Sequence, residues 1–326
     1  MRHVITGGLG FTGRHLTSEL VRRKEEVVVF DCAKPAAKLQ KGVRLVQGDI
    51  RDPASLQTVG LKSGDVVYHL AARQFHAVVP RRGRDRWFAE VNVEGTRNLL
   101  DAMEKGGARE LVFFSSDMVY GFPDRSPVPT DHPRRPLGPY GRSKRDAEDL
   151  IAARLRSGFR CTVFRPRLIV GPGRLGTLSK LFRLIAAGWP VPLIGDGRNR
   201  YQMASVHDCV SAALHSVGMG LPAGPFNLGS TNPPLVKDLV NGLIEKVGSR
   251  SRLLPTPAIA AKSTLALLDF VGLTLLHPEQ FRIADQDYVL DLSNTASVLG
   301  FSPAYDDRQM LFAAYEEFLK GTRVVR

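Results

Sequence analysis

Short apolar runs alternate with amphipathic stretches along the first half of the chain. Predicted strands cover residues 1–5, 26–30, 43–46, 65–70, 110–114 and 161–164, and predicted helices cover residues 13–23, 90–105 and 139–154. Uninterrupted apolar strands that are separated by helices indicate a parallel sheet covered on both faces. Because the crossovers in such sheets are right-handed, the pattern predicts a doubly wound α/β fold.

The pattern changes after Arg165-Pro166, where glycines and prolines interrupt the chain more often. A helix is predicted over residues 206–217 and a strand over residues 225–228. We therefore expect a sheet domain over residues 1–165, to which segments near 204–228 return, and a smaller, partly interleaved lobe over residues 166–326. The most apolar later stretch, 264–276, contains Asp269 and is too short to span a bilayer, which predicts an amphipathic or buried helix.

Composition narrows the choice of partners. Of the 326 residues, 43% are hydrophobic and 24% charged, and 45 basic against 32 acidic residues give a net charge of +13. This charge favours an anionic partner, but the chain has no zinc-finger, basic-zipper or base-stacking motif, so no nucleic-acid partner is expected. No membrane partner is expected either. The three cysteines lack a disulfide or metal spacing, and residues 1–5 show no signal-peptide pattern, so we expect no metal and a cytoplasmic location.

A glycine-rich turn lies between the first predicted strand and the first predicted helix. The turn has glycines at every third position, Gly7, Gly10 and Gly13, and Phe11 and Thr12 lie between the last two. Gly7 permits a tight turn, Gly10 lets the backbone approach a pyrophosphate, and Gly13 lets the helix pack closely on the strand. The helix N-terminus then offers N–H groups and a partial positive charge to the phosphates. This pattern predicts a dinucleotide site.

Polar and small residues follow the next three predicted strands. Asp31 closes the second strand, where a carboxylate can bind both ribose hydroxyls and repels a 2′-phosphate, which favours NAD over NADP. Asp49, followed by Ile50, is a candidate acceptor for the adenine amino group, and a plain turn aspartate is the alternative. The remaining candidates are the strand-end residues Leu70, Ala71 and Ala72, beside which a cofactor can lie, and Asn92, which can brace that backbone or cap a helix.

A tyrosine and a lysine, Tyr140 and Lys144, share one face of a predicted helix at i and i+4. A neighbouring ammonium lowers the pKa of a phenol, which then accepts or returns a hydroxyl proton while hydride moves to or from a nicotinamide. Ser115 and Ser116 end the fifth predicted strand, the edge at which parallel sheets place ligands. A hydroxyl there can bind the same substrate oxygen.

Together these segments resemble the extended short-chain dehydrogenase/reductase superfamily, in particular its NAD-dependent nucleotide-sugar epimerase/dehydratase branch. The matching segments, in the order of that family, are TGGLGFTG, Asp31, GDIRD, HLAA, NVEGT, SSDMVYG, YGRSK, RPRLIVGPG, FNLGS, RIAD and LGFSP. The resemblance implies an NAD-binding Rossmann domain and a mainly substrate-binding C-terminal lobe. It also implies that Tyr140 is the catalytic acid/base, Lys144 its partner and cofactor anchor, Ser116 the substrate-holding hydroxyl, and Pro166 a neighbour of the nicotinamide.

The substrate side departs from that family's pattern. Met118 stands where dehydratases and decarboxylases of the family have glutamate, and methionine cannot move a proton, so both reactions are disfavoured. Asp117 is a candidate substrate contact, with a strand-end polar residue as the alternative. Arg282 resembles the arginine that grips a nucleotide diphosphate. Leu168 and Tyr201 stand where the family often has a diphosphate-facing asparagine and arginine, and the candidate replacements for that arginine are Arg198 and Arg200.

The resemblance implies three possible functions. The first is a nucleotide-sugar epimerase acting at C4 through transient oxidation of a hydroxyl. The second is a net oxidoreductase, such as a keto-sugar reductase or a steroid-like dehydrogenase, which Leu168 and Tyr201 favour. The third is a non-catalytic dinucleotide sensor, which the presence of both Tyr140 and Lys144 disfavours. A homodimer is expected by resemblance. His69 is expected to be a satisfied core residue, His76 is a candidate second proton donor, and His207 starts a helix.

Overall fold

A seven-stranded parallel sheet forms the centre of the protein in the computed structural model, which describes residues 1–35, 38–75, 78–173, 176 and 178–323. Its strands are β1 (Arg2–Thr6), β2 (Glu26–Asp31), β3 (Val43–Gln47), β4 (Val66–His69), β5 (Glu110–Phe114), β6 (Arg160–Pro166) and β10 (Phe226–Leu228). They lie in the order β10-β6-β5-β4-β1-β2-β3. The order reverses between β1 and β4, so the carboxyl ends of these two strands border the crevice where doubly wound sheets bind ligands.

Helices cover both faces of the sheet, as the buried apolar strands predicted. The helices of the first half are α1 (Phe11–Arg22), α2 (Pro53–Gln57), α3 (Arg84–Ala89), α4 (Gly95–Gly106) and α5 (Pro139–Leu155). One hydrophobic cluster packs α1 and a later helix, α7 (Val206–Gly218), against the sheet. A second cluster packs α4 and α5 against the opposite face. The doubly wound Rossmann-type fold is therefore confirmed.

The second half adds small sheets and further helices. Its remaining strands are β7 (Leu168–Val170), β8 (Val191–Ile194), β9 (Met203–Ser205) and β11 (Leu253–Thr256). Its remaining helices are α6 (Leu178–Ala187), α8 (Val236–Lys246), α9 (Ala258–Val271), α10 (Pro278–Phe281), α11 (Ser293–Ser297) and α12 (Asp307–Arg323). Side chains of α6, α8 and α12 form a core cluster of their own. The strand β10 joins the central sheet, and the division of the chain into two domains stays a prediction.

Two predicted helices differ from the structure. The helix predicted over residues 90–105 starts earlier, because α3 continues through a π-helical turn (Glu90–Glu94) into α4. The helix predicted from the apolar stretch 264–276 is present with other bounds, since α9 covers Ala258–Val271, and none of its residues is buried. No helix in the described part of the chain is long and apolar enough to cross a membrane.

Candidate active site

The glycine turn has the close backbone packing that its spacing predicted. Gly7 has a φ of +71°, and a Cβ at this position would lie 2.6 Å from the backbone nitrogen of Ala71. A Cβ on Gly13 would lie 2.3 Å from the carbonyl oxygen of Gly7. Helix α1 starts directly after Gly10, and no side chain caps its first turn. The loop therefore presents backbone rather than side chains at a helix N-terminus, which fits a pyrophosphate.

Asp31 lies against this turn. Its carboxylate accepts hydrogen bonds from the backbone N–H of Leu9 at 2.9 Å and from that of Ala33 at 2.9 Å. The side chain is held at the carboxyl end of β2 by two neutral donors and is paired with no cation in the described residues. A carboxylate accepts more than two hydrogen bonds, so this geometry fits the ribose hydroxyls of NAD. The contact itself stays a prediction.

The predicted adenine side of the site has a charged pair. The guanidinium of Arg51 donates to both carboxylate oxygens of Asp49, at 2.6 Å for the shortest bond, and this interaction lowers the pKa of Asp49. Ile50 is buried and packs so closely on Gly95 that there is no room for a Cβ on this glycine. Because Arg51 already engages the Asp49 carboxylate, an adenine contact has to share it, and that contact stays a prediction.

Asn92 connects the end of β4 to the catalytic helix. Its Oδ1 accepts from the backbone N–H of Arg73 at 2.8 Å, and its Nδ2 donates to the Arg73 carbonyl and to Ser143 Oγ at 2.9 Å. Ser143 in turn donates to the carbonyl of Tyr140 at 2.8 Å. Asn92 thus holds the chain that follows Leu70, Ala71 and Ala72 at a fixed distance from α5. Sequence reasoning did not single out Ser143.

Tyr140 and Lys144 lie one turn apart on α5, beside the carboxyl end of β5. Both side chains are buried, at 6% and 3% exposure. Lys144 Nζ donates to the carbonyl of Phe114 at 2.8 Å, and burial lowers the pKa of Lys144 to about 8. The amine is therefore still largely protonated at pH 7, although its pKa lies only a little above this pH. The ring of Phe75 packs 5.1 Å from that of Tyr140.

Ser116 and Asp117 are fixed by a buried ion pair. Ser116 Oγ donates to one carboxylate oxygen of Asp117 at 3.1 Å, and Arg167 donates to the other. The guanidinium of Arg167 lies between the rings of Tyr201 and Tyr288, 4.1 Å from each centroid. This contact gives Tyr201 a structural partner in Arg167, which lies between β6 and β7. A contact between Asp117 and substrate stays a prediction.

Glu279 supports the catalytic helix, and sequence reasoning missed it. Its carboxylate accepts from the backbone N–H of Tyr140 at 2.9 Å and of Gly141 at 3.0 Å, so it satisfies two donors of the first turn of α5. The side chain is 4% exposed, and burial raises its pKa. A Cβ on Gly138 would lie 2.3 Å from the Cγ of Glu279, so a larger residue there would displace this carboxylate from the helix start. No local pattern links residues so far apart in sequence.

The predicted diphosphate-binding arginines are exposed and lie on adjoining segments. The backbone N–H of Arg200 donates to Asp287, and its carbonyl accepts from Tyr288. Asn199 donates to the carbonyls of Ala284 and Gln286, which joins the segment around Arg200 to the one that follows Arg282. The guanidinium of Arg282 lies 5.5 Å from the ring of Phe122. Arg198 instead faces Asp196 at 3.6 Å.

The histidines and Pro166, which the sequence pattern also singled out, lie at different places in the fold. His69 is buried, and its two ring nitrogens bond Thr6 and Thr96 at 2.8 Å each, as expected of a satisfied core residue. His207 stands in the first turn of α7 and packs 5.2 Å from His15 of α1. Pro166 is buried at the carboxyl end of β6, and its approach to nicotinamide stays a prediction. The candidate His76 lies outside the described residues. Within the described ranges, no cluster of ligating side chains fits a metal.

A doubly wound sheet with a glycine turn after β1, an aspartate after β2 and a buried Tyr–Lys pair beside β5 defines an enzyme of the extended short-chain dehydrogenase/reductase type. The chain belongs to the NAD dependent epimerase/dehydratase family, whose model matches residues 3–229. Its cofactor is NAD, as the sequence predicted. The glycine turn fits that cofactor because it presents closely packed backbone and no capping side chain at the N-terminus of α1.

Relatives within this family act on different substrates. The chain is 37% identical over 169 residues to the N-acetyl-α-D-glucosaminyl-diphospho-ditrans,octacis-undecaprenol 4-epimerase of Escherichia coli O157:H7, a match that covers 50% of this chain and 48% of the relative. It is 30% identical to the 3β-hydroxysteroid-dehydrogenase/decarboxylase isoform 1 of Arabidopsis thaliana, over 92% of this chain and 75% of the relative. A crystal structure of a UDP-galactose 4-epimerase superposes with a TM-score of 0.77 at 25% identity, covering 98% and 99% of the two chains.

Proposed function

We propose that the protein is an NAD-dependent 4-epimerase of a sugar diphosphate. The observation that supports this most directly is the position of Tyr140 and Lys144 on α5, where burial holds the pKa of Lys144 near 8 beside the carboxyl end of β5. Two 4-epimerases support the same reaction: one is 37% identical to this chain over half its length, and the other superposes on nearly all of it at 25% identity.

The protein's own groups move the proton. Tyr140 accepts the proton of the sugar 4-hydroxyl as a phenolate, and the Lys144 ammonium stabilises that charge because both side chains share one face of α5. Ser116 orients the same hydroxyl. Bound NAD supplies a hydride acceptor that returns the hydride, so no net oxidation occurs. After the sugar ring has turned over in the cleft, Tyr140 gives the proton back on the other face.

Dehydration and decarboxylation are less well supported. The position that would need a proton-moving carboxylate is Met118, whose backbone N–H bonds Ser116 and whose thioether cannot act as an acid or base. The carboxylate of the neighbouring residue, Asp117, is already shared between Arg167 and Ser116. This arrangement favours an epimerase over a lyase.

The substrate's diphosphate is assigned to the exposed arginines. Arg282 and Arg200 lie on segments that the side chain of Asn199 and the backbone of Tyr288 hold together. A guanidinium fork binds phosphate oxygens with two parallel hydrogen bonds, and two such groups match the charge of a diphosphate. UDP-sugars are the first candidates to test.

The deciding experiment follows product and cofactor in the same reaction. We expect UDP-glucose and UDP-galactose to interconvert, as seen by NMR of the anomeric protons. The near-ultraviolet absorbance should show no more NADH than there is enzyme in the sample. Stoichiometric NADH formation would instead establish a net oxidoreductase. The absence of any turnover with a panel of UDP-, GDP- and dTDP-sugars would overturn the assignment to a nucleotide sugar.

A net oxidoreductase is the second candidate, favoured by the 30% identity to a 3β-hydroxysteroid-dehydrogenase/decarboxylase over 92% of this chain. Leu168 also gives β7 an apolar side chain where a sugar epimerase would place an amide. A secondary alcohol with an apolar frame, tested with NAD in the same absorbance assay, separates this candidate from the first.

Two assignments outside the active site are also proposals. A homodimer formed through the helices that flank Tyr140 would be seen as a doubled mass in sedimentation equilibrium. A cytoplasmic location agrees with the three free cysteines and is tested by fractionation of the source cells.

A further inference from the structure

Helix α9 turns its charges toward the protein and four large apolar side chains toward solvent. Its two charged residues are both paired with other elements: Lys262 donates to Asp285, and Asp269 accepts from both terminal nitrogens of Arg84 at 2.9 Å. None of the helix's residues is buried. A surface helix of a globular protein normally has the opposite arrangement.

The outward side chains form an apolar strip that the small polar Ser263 interrupts on this face of the helix, and we call this strip the α9 surface. Its large members are Ile259, Leu267, Phe270 and Val271 on the helix, with Leu273 and Leu275 in the segment that follows, and their exposures run from 48% to 84%. No charged side chain of α9 lies among them. Contiguous exposed apolar patches of this kind mark interaction sites.

Basic side chains border the α9 surface. Arg81 donates to the carbonyl of Phe270 and lies against Gly272, and Lys180 donates to the carbonyl of Leu275. Arg82, next to Arg81, is exposed. An apolar strip with a basic border is the arrangement of elements that lie in the interface of an anionic bilayer, where the apolar groups enter the acyl boundary and the cations meet lipid phosphates.

We propose that the α9 surface docks the protein on an anionic lipid surface. This differs from the expectation of no membrane partner, which rested on the search for a spanning segment. A second copy of the chain fits less well, because a two-fold interface centred on this strip would bring the basic borders of the two copies close together, with like charges facing each other. Lipid phosphates complement these charges.

The α9 surface adjoins the catalytic cleft. Asp269 is paired with Arg84 at the start of α3, and the segment after α9 leads to His277, whose ring stacks on Phe75 at 4.8 Å, with Phe75 in turn 5.1 Å from Tyr140. Docking therefore brings the cleft close to the lipid. If the proposed function holds, a sugar diphosphate attached to a lipid can reach Tyr140, whereas docking itself does not depend on the reaction.

The test is sedimentation of the NAD-loaded protein with vesicles. We expect binding to vesicles of phosphatidylcholine and phosphatidylglycerol, and at least tenfold weaker binding to phosphatidylcholine alone. The double substitution Leu267→Ser/Phe270→Ser should weaken binding to the anionic vesicles at least tenfold. The control, Met219→Ser/Val298→Ser, removes two other exposed apolar side chains, which directly follow α7 and α11, and should bind as the unmodified protein does.

A second pair of substitutions tests the basic border. Arg82→Gln/Lys180→Gln should weaken binding by about fivefold per charge removed. Thermal unfolding and NAD affinity of every variant, measured without substrate, report whether the fold is intact whatever reaction the protein catalyses. The proposal is overturned if the unmodified protein does not bind anionic vesicles, or if Leu267→Ser/Phe270→Ser binds them unchanged. It is also overturned if that variant only converts a dimer to a monomer.

Discussion

The cofactor side of the cleft is formed mainly by backbone, and the substrate side mainly by long side chains. On the cofactor side, backbone lies against backbone: the Cβ positions of Gly7 and Gly13 are occupied by main-chain atoms. On the substrate side, long side chains such as Arg282 and Arg200 project from loops. Backbone packing admits few residue types at fixed spacing, whereas an arginine can reach one phosphate from several positions. The difference explains why the family's pattern holds on one side and is broken on the other.

The largest expected effect lies where the two sides meet. Tyr140→Phe removes the phenolic oxygen and keeps the ring, so we expect turnover to fall by about 10²- to 10⁴-fold. NAD affinity should change little, because the cradle for NAD is backbone. Steady-state kinetics and NAD titration by fluorescence measure both quantities.

Tyr305→Phe is the matched control for this substitution, since Tyr305 is 41% exposed and packs on His207 away from α5. It should leave turnover unchanged. Full turnover in Tyr140→Phe would show that the proton is moved by another group, and the proposed chemistry would then be wrong.

The next largest effect concerns the buried support of the substrate side. Arg167→Met leaves the carboxylate of Asp117 buried and unpaired, which should cost about 3–5 kcal/mol in the free energy of unfolding. The Asp117 carboxylate that accepts from Ser116 would also lose the cation that holds it in place, so kcat should fall while NAD affinity stays the same. Urea denaturation and kinetics provide the two measurements.

Arg198→Met is the control for Arg167→Met. Arg198 faces Asp196 at 3.6 Å with both side chains largely exposed, so its loss should cost less than about 1 kcal/mol. Equal costs for the two variants would mean that the Arg167–Asp117 pair contributes no more than a surface contact.

The same contrast between backbone and side chains sets how much could be predicted from sequence. The strands β1, β2 and β5 were predictable because continuous apolar runs specify burial on both faces, and the glycine turn because its spacing has a steric reason. Glu279 and Ser143 were not predictable, since their partners lie in other elements and each could equally be a surface residue. The inward charges of α9 depend on Arg84 and Asp285, which no periodicity reveals.

A smaller effect is expected when the backbone cradle itself is changed. Gly7→Ala adds a Cβ 2.6 Å from the backbone of Ala71 at a positive φ, so we expect a loss of about 2–3 kcal/mol in stability and a clear loss of NAD affinity. Calorimetric titration with NAD and chemical denaturation test both.

Gly60→Ala separates the effect of the positive φ from the effect of the close contact. Gly60 also has a positive φ, +65°, but a Cβ there meets nothing within 4 Å. Its substitution should cost about 1 kcal/mol and leave NAD affinity unchanged. Should Gly7→Ala behave in the same way, the close approach at Ala71 would not matter for the cofactor.

The smallest effect is expected on the substrate side, where arginines can replace one another. Arg282→Met removes one charged donor from the proposed diphosphate site, which should raise KM by about tenfold, since a hydrogen bond to a charged group is worth about 1.5–3 kcal/mol. kcat and NAD affinity should stay close to those of the unmodified protein. Arg200→Met should raise KM less, and the double variant more than either. If Arg282→Met lowered kcat and left KM unchanged, the arginine would act on the reacting hydroxyl rather than on the phosphates. The exposed arginines would then not serve to bind the substrate, and the contrast between a backbone site for the cofactor and a side-chain site for the substrate would be wrong.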